Sequence, residues 1–264
     1  PAQGRRAMRK RIILCVVLWA VGCSPPSDTI RTRMQAALPL FEAQSPPDAS
    51  TDARAKEVRQ QLAQAQWDAA QATLESWWGQ DSDGEAAFLL GWLHHQQKRY
   101  ALALPWVERA LDAGPTYPKA GQVFFLLGRC LQETGDLQGA REAYTADGVL
   151  FPDGGDSPFR LALLDFEEGR LDDCEGRLTA ALERFSAPRD KAKVLAHRAD
   201  LHLARDDPAA ARLSLEQCVS LFPHYEAFYK LSQICARLGD EAAASAAREL
   251  HLLWRERARG GEDN

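Results

Sequence analysis

The sequence is short of the residue combinations that perform chemistry. No Ser-x-x-Lys, Gly-x-Ser-x-Gly, phosphate-binding glycine loop or His-Glu-x-x-His occurs, so acyl transfer, phosphoryl transfer and zinc proteolysis have no candidate constellation. His94 and His95 are adjacent, and neighbouring helical residues diverge by about 100°, so the two cannot point at one ion. His202 and His224 lack a cysteine or carboxylate at ligand spacing. No catalytic residue, cofactor or metal is expected. Positive charge is also scarce. Without residues 1–22 the chain carries 27 basic and 37 acidic residues, a net of −10. Such a chain is repelled by phosphate backbones, which argues against a nucleic-acid partner. Nor is the apolar run near the start, Ile12 to Gly22, a membrane span, since it has eleven residues where a helix needs ~20.

What is present is periodic. Leu90-Gly91 is followed by Ala103, Val107 and Pro115, and Leu127-Gly128 by Ala140, Tyr144 and Pro152, the two copies lying 37 residues apart with equal internal gaps. Weaker copies follow. Leu161-Ala162, Cys174 and Leu178 fall in a unit near 155–188. Leu195, Ala199, Ala211, Leu215 and Pro223 fall in one near 192–225, and Phe228, Leu231 and Ala244 in a fifth. A degenerate first pair, 54–64 and 67–78, places Ala70 and Leu74 at the spacing of Ala103 and Val107. Gly135, Gly169 and Gly239 sit between the two helices of a unit, where glycine takes a positive φ without steric cost. The spacing assigns Gly91, Gly128, Ala162 and Ala199 on first helices, and Ala103, Ala140, Cys174 and Ala211 on second helices, to close interhelix contact. The charged final helix, with Arg248, Glu249, Arg255, Glu256, Arg257 and Arg259, reads as a polar cap for the array.

This skeleton of small, aromatic and proline positions resembles the tetratricopeptide repeat, a helix–turn–helix unit of about 34 residues. The resemblance covers residues 52–259 and is clearest over 84–154. It implies an all-α, right-handed α-solenoid of five to six repeats that binds proteins or peptides. In that family first helices line a concave groove. Helical periodicity places Phe88, Trp92 and His95 on one stripe of the first clear repeat, Phe125 and Arg129 on the second, and Phe159, Leu163 and Phe166 on the third. These residues read either as an apolar, peptide-binding groove or as side chains packed on neighbouring units and the N-terminal helix. Stacking of Trp92, Phe125 and Phe159 on sugar faces gives an alternative function, non-enzymatic binding of an envelope glycan or peptidoglycan fragment.

The N-terminal region has a separate logic. Met8-Arg9-Lys10-Arg11 is a basic start, the eleven-residue apolar run follows, and Ala20-Val21-Gly22 precedes Cys23. Residues 1–23 resemble a bacterial lipoprotein signal with a lipobox-like end, which implies lipidation at Cys23. The resemblance further implies export and a membrane anchor facing the periplasm, with Ser24 favouring the outer membrane. Residues 24–51, flanked by Pro25-Pro26 and Pro46-Pro47, read as a tether. Its possible short helix, from Ile30, Met34, Leu38 and Phe41, is limited by Pro39. Residues 260–264 read as a disordered tail. Cys130, Cys174, Cys218 and Cys235 read as buried thiols, with Cys218–Cys235 the pair if any bridge forms. By resemblance to envelope lipoproteins of this kind, the protein is expected to act as an interaction scaffold or assembly factor.

Overall fold

The computed structural model describes residues 26–44, 52–81 and 84–260. The signal-like segment with Cys23, the proline-rich stretch 45–51, residues 82–83 and the tail 261–264 lie outside the described residues. The described residues form thirteen α-helices and one 3-10 turn, without strands, as an all-α fold requires. The helices are α1 (Pro26–Ala43), α2 (Ala53–Ala63), α3 (Trp67–Asp81), α4 (Gly84–Gln96), α5 (Tyr100–Asp112), α6 (Val123–Thr134) and α7 (Leu137–Leu150). They continue with α8 (Asp156–Glu167), α9 (Leu171–Arg184), α10 (Pro188–Ala204), α11 (Pro208–Leu221), α12 (Tyr225–Arg237) and α13 (Glu241–Gly260). From α2 onward they form six hairpins.

One turn design closes every hairpin. Ala65, Lys98, Gly135, Gly169, Asp206 and Gly239 all have positive φ, between 55° and 92°. In each, the N–H of the next residue returns to the carbonyl five positions earlier, as in Arg99 N to His94 O and Asp240 N to Cys235 O, both 2.9 Å. This satisfies carbonyls that a helix end leaves without partners. The second helix then starts in fixed phase, so that Ala70, Ala103, Ala140, Cys174, Ala211 and Ala244 each come five residues after the left-handed residue. All six are buried. Their partners on the first helices come seven residues before it: Val58, Gly91, Gly128, Ala162, Ala199 and Ser232. The fit is tight. A Cβ on Gly91 would lie 2.6 Å from Val107 Cγ2 and 3.2 Å from the Val107 backbone nitrogen.

The region read as one array divides into two compact units, residues 1–143 and 144–264. In the first, Ala55, Val58, Ala70, Leu74, Trp77, Ala86, Leu90 and Leu93 form a closed apolar cluster. Arg54 lies 4.8 Å over the Trp77 ring. On the surface, Trp78 and Trp106 meet edge to face at 5.5 Å, with Arg109 4.6 Å over Trp106.

The expected tether is corrected in its described part. Residues 26–43 are one 18-residue helix with Pro39 inside it. Ile30, Met34, Ala37 and Phe41 are buried, while Gln35 and Pro39 lie on the exposed side. The carbonyl that proline leaves unbonded therefore faces water, and the buried stripe compensates for the lost hydrogen bond. Phe41 meets Phe124 edge to face at 5.2 Å. Arg33 forks onto Asp112 at 2.5 Å and Glu108 at 2.6 Å, and also reaches the Glu108 carbonyl at 2.9 Å.

The second unit contains two apolar clusters. One gathers Phe159, Ala162, Cys174, Leu178, Ala181, Val194 and Leu201, the other Ala192, Leu195, Ala199, Ala211, Leu215, Cys218, Ala227 and Ile234. Successive hairpins are tied by ions: Arg205 to Asp172 at 2.7 Å, Arg198 to Glu175 at 2.5 Å, Lys230 to Asp200 at 2.7 Å and Arg237 to Asp206 at 2.5 Å. The fourth hairpin opens at Pro188, four residues earlier than the spacing placed it, because proline at the first turn starts α10. The last helix exposes Arg248, Glu249, Glu256, Arg257 and Arg259, as a polar cap requires. α13 leaves Leu250, Leu252 and Leu253 exposed among its charges.

Candidate functional site

In the first unit a cavity of about 490 Å3 opens on the first-helix face. Its apolar walls are Leu62 of α2 and Phe88, Leu89 and Trp92 of α4, and the segment before α6 closes one side through Pro118, Lys119 and Gln122. Phe88 is only 4% exposed, and its ring lies 5.8 Å from that of Tyr117. Tyr117 is itself buried and donates its hydroxyl to the Ala110 carbonyl at 3.1 Å. Burial pushes its pKa far up, so it stays a neutral donor. Phe88 is thus a fixed floor, and Leu89 and Trp92, both half-buried, are the walls a ligand can touch. Arg59 and Glu85 stand at the same opening, 4.0 Å apart, with the Arg59 side chain 50% and the Glu85 side chain 8% exposed.

The other stripe residues are placed differently. His95 packs edge to face on Tyr100 at 5.5 Å, and Arg129 pairs with Glu133 of its own helix at 3.8 Å. Neither they nor the half-buried Phe125 lines this cavity. In the second unit Phe159 is 9% exposed and held edge to face by Phe185 at 6.4 Å and His197 at 5.3 Å. Leu163 and Phe166 pack against the same cluster. Of the three, Phe159 is interior to its unit, while Leu163 and Phe166 stay half-buried at its edge.

The stripe begins one hairpin earlier than Phe88. Arg59 follows Val58 as Trp92 follows Gly91, and Leu62 stands three residues further on, where His95 stands in the next hairpin. Applied to the degenerate first pair, the same spacing finds both. Nothing periodic marks Pro118, Lys119 and Gln122, which belong to a connection.

Among the described residues the cysteines, Cys130, Cys174, Cys218 and Cys235, are free and buried. Burial pushes Cys130 up to about 12 and Cys174 and Cys218 to about 11. His224 Nε2 lies 3.7 Å from Cys218 Sγ, while its Nδ1 accepts the Ala227 N–H at 3.3 Å. The imidazole proton therefore sits on Nε2 and points at sulfur, so the pair is a helix cap and not a nucleophile with its base. Among the described residues no group of three or more His, Cys, Asp or Glu converges as for a metal ion, and no helix is long and apolar enough to cross a membrane.

Residues 56–118 and 197–251 match the tetratricopeptide-repeat family profile. Solved structures with a similar fold include MamA residues 41 to the end from Desulfovibrio magneticus RS-1, at 16% identity and TM-score 0.56 over 65% of this chain and 97% of that one. PilF of Pseudomonas aeruginosa is similar at 17% identity and TM-score 0.58, over 66% and 78% of the two chains. The C-terminal part of a TPR repeat-containing protein from Cytophaga hutchinsonii is similar at 14% identity and TM-score 0.61, over 78% and 80%. At these identities the likeness concerns the fold alone. No curated protein matches the chain by sequence.

Proposed function

We propose that this chain, two stretches of which match the tetratricopeptide-repeat profile, is a member of that family and a lipid-anchored scaffold of the bacterial envelope. It holds a protein partner on the first-helix face of its N-terminal unit. The fold is one of protein–protein interaction. The observation that carries the reading is the apolar cavity walled by Leu62, Leu89 and Trp92, because half-buried aromatic and aliphatic side chains around a preformed recess are the usual energetic centre of an interface. The anchor at Cys23, the periplasmic face and an assembly role rest on the sequence of the first 24 residues.

A photo-crosslinking residue at Gln122, on the cavity rim, tests the reading in the native host. One discrete envelope protein is expected, lost in a Trp92→Ser, Leu89→Ser variant that keeps the wild-type circular dichroism. Phe88 is left intact because its removal would open the core. The same crosslinker at Leu213, an exposed position of the second unit, is the control. Equal capture from Leu213, or capture unaffected by the two serines, removes the cavity from the function. For the anchor, labelled palmitate incorporated by the wild type and still incorporated by Cys23→Ala would refute lipidation at that residue.

A further inference from the structure

We propose that the occupant of the cavity is a peptide segment of the partner that presents one bulky apolar side chain, Leu, Phe or Trp, with an Asp or Glu side chain within two residues of it. This rests on the reading of the cavity as the partner site and specifies its ligand.

The apolar half follows from shape. A recess of about 490 Å3 lies within the range of sites that enclose one compact group. Its floor, Phe88, is braced from behind by Tyr117, so the recess does not need to form on binding and the cost of ordering it is small.

The acidic half follows from charge. Arg59 and Lys119 stand at the opening against one carboxylate, Glu85, so the local balance is positive in a chain that is otherwise acidic. Arg59 meets Glu85 by one long contact, 4.0 Å from Nη1, with half its side chain in water. A guanidinium so placed has donors for a second carboxylate. Lys119 is exposed and has no ion-pair partner among the described residues. Its backbone makes a glycine substitution available as a test. Lys119 has φ of 63°, where an L-residue is strained and glycine would be free of strain, and it begins the 3-10 turn Ala120–Gln122. A basic segment would meet both cations and is disfavoured.

Fluorescence anisotropy with the purified full chain tests this. The probes are labelled octapeptides with acetylated and amidated ends, Gly-Ser-Gly-X-Z-Gly-Ser-Gly, so that Z alone carries charge. Phe-Glu is expected to bind about tenfold more tightly than Phe-Lys, as one charge-assisted contact allows, and more tightly than Phe-Gln, with Ala-Glu much weaker. High salt should bring Phe-Glu and Phe-Gln together. Lys119→Gly, which relieves the backbone as it removes the charge, should shrink the preference for Phe-Glu over Phe-Gln. Arg59→Gln should do the same, and Lys119→Glu should reverse the order of Phe-Glu and Phe-Lys. Equal binding of Phe-Glu and Phe-Lys, unchanged ranking in all three variants, or no binding by any peptide overturns the proposal. Host capture at Gln122 that still depends on Trp92 and Leu89 would then leave the cavity as the partner site with a different ligand, whereas failure of both experiments rejects the site itself.

Discussion

Five of the seven tryptophans fall between residues 67 and 106, in the first unit, and the second unit has one, Trp254. Where the first unit fills its hairpins with indole and edge-to-face rings, the second links hairpin to hairpin with Arg205, Arg198, Lys230 and Arg237 on acids of the preceding repeat. Both units use the same turn and the same small-residue register. The backbone plan therefore does not dictate what fills the space around it, and the two fillings should respond to different perturbations. Apolar bulk resists salt and pH, whereas exposed ion pairs are screened and individually weak.

The largest expected effect is in the first unit. Trp77 is fully buried, and Trp77→Ala should cost about 3–5 kcal/mol, seen as a lowered urea midpoint with faster amide exchange in α2–α5. If the loss is below about 1 kcal/mol, aromatic filling is not what holds that unit. Next comes Gly91→Ala, whose methyl would strike Val107 and should cost about 1–3 kcal/mol. Adding Val107→Ala should restore part of it, and a strictly additive double mutant would show that the two helices do not meet there.

In the second unit Asp165 is fully buried between Arg170, at 2.6 Å, and Arg177, also at 2.6 Å. Replacing both arginines by Met strands a buried carboxylate. Faster amide exchange is expected in α8 and α9, with α2–α5 unchanged; exchange rising equally in both units would break the contrast. Asp147 sharpens it by pH. Burial raises its pKa to about 6, against the hydrogen bond of 2.5 Å that Ser157 donates to it. The unfolded carboxyl ionises near 4, so the unfolded state loses its proton first, and stability falls as pH rises from about 4 to 6. Asp147→Asn should therefore raise the Tm at pH 8 and leave it unchanged at pH 3.5. An equal Tm at both pH values would show that the carboxyl is not desolvated. The smallest effect belongs to the turns. Ala65→Gly and Lys98→Gly in one unit and Asp206→Gly in the other remove left-handed strain and should each stabilise by roughly 0.5 kcal/mol, with Asp206 gaining least because aspartate tolerates that region better. Denaturant midpoints decide this.

The hairpin register was legible in the residues because it is a local matter. Gly91, Ala103, Gly128 and Ala140 sit at a distance set by helix pitch and one turn, and no distant contact can alter it. α1 was legible only in part. Pro39 reads as a breaker until Gln35 and Pro39 are seen on the wet side and Phe41 against Phe124. Phe88 and Phe159 occupy equivalent stripe positions, yet one floors a cavity and the other is enclosed by Phe185 and His197. Periodicity states which side of a helix a residue is on, not what stands opposite. Leu250, Leu252 and Leu253 were hidden among arginines and glutamates for the same reason.

The connection from α5 to α6, residues 113–122, is ten residues long, against five before α8 and three before α10 and α12. Its extra length accounts for the 37 residues between Lys98 and Gly135, where Gly135 and Gly169 are 34 apart. Every hairpin keeps the count between its two small contact residues, so a chain of this kind varies in length outside that core: at a seam here, and at the outer end of a first helix in the 17-residue α10. Pro118, Lys119 and Gln122 are carried on such a seam. The rim of the cavity can therefore be altered at an exposed position, Lys119, without touching the small-residue contacts inside any hairpin. The recognising part of the molecule is thus set partly by a connection and not by the repeat itself.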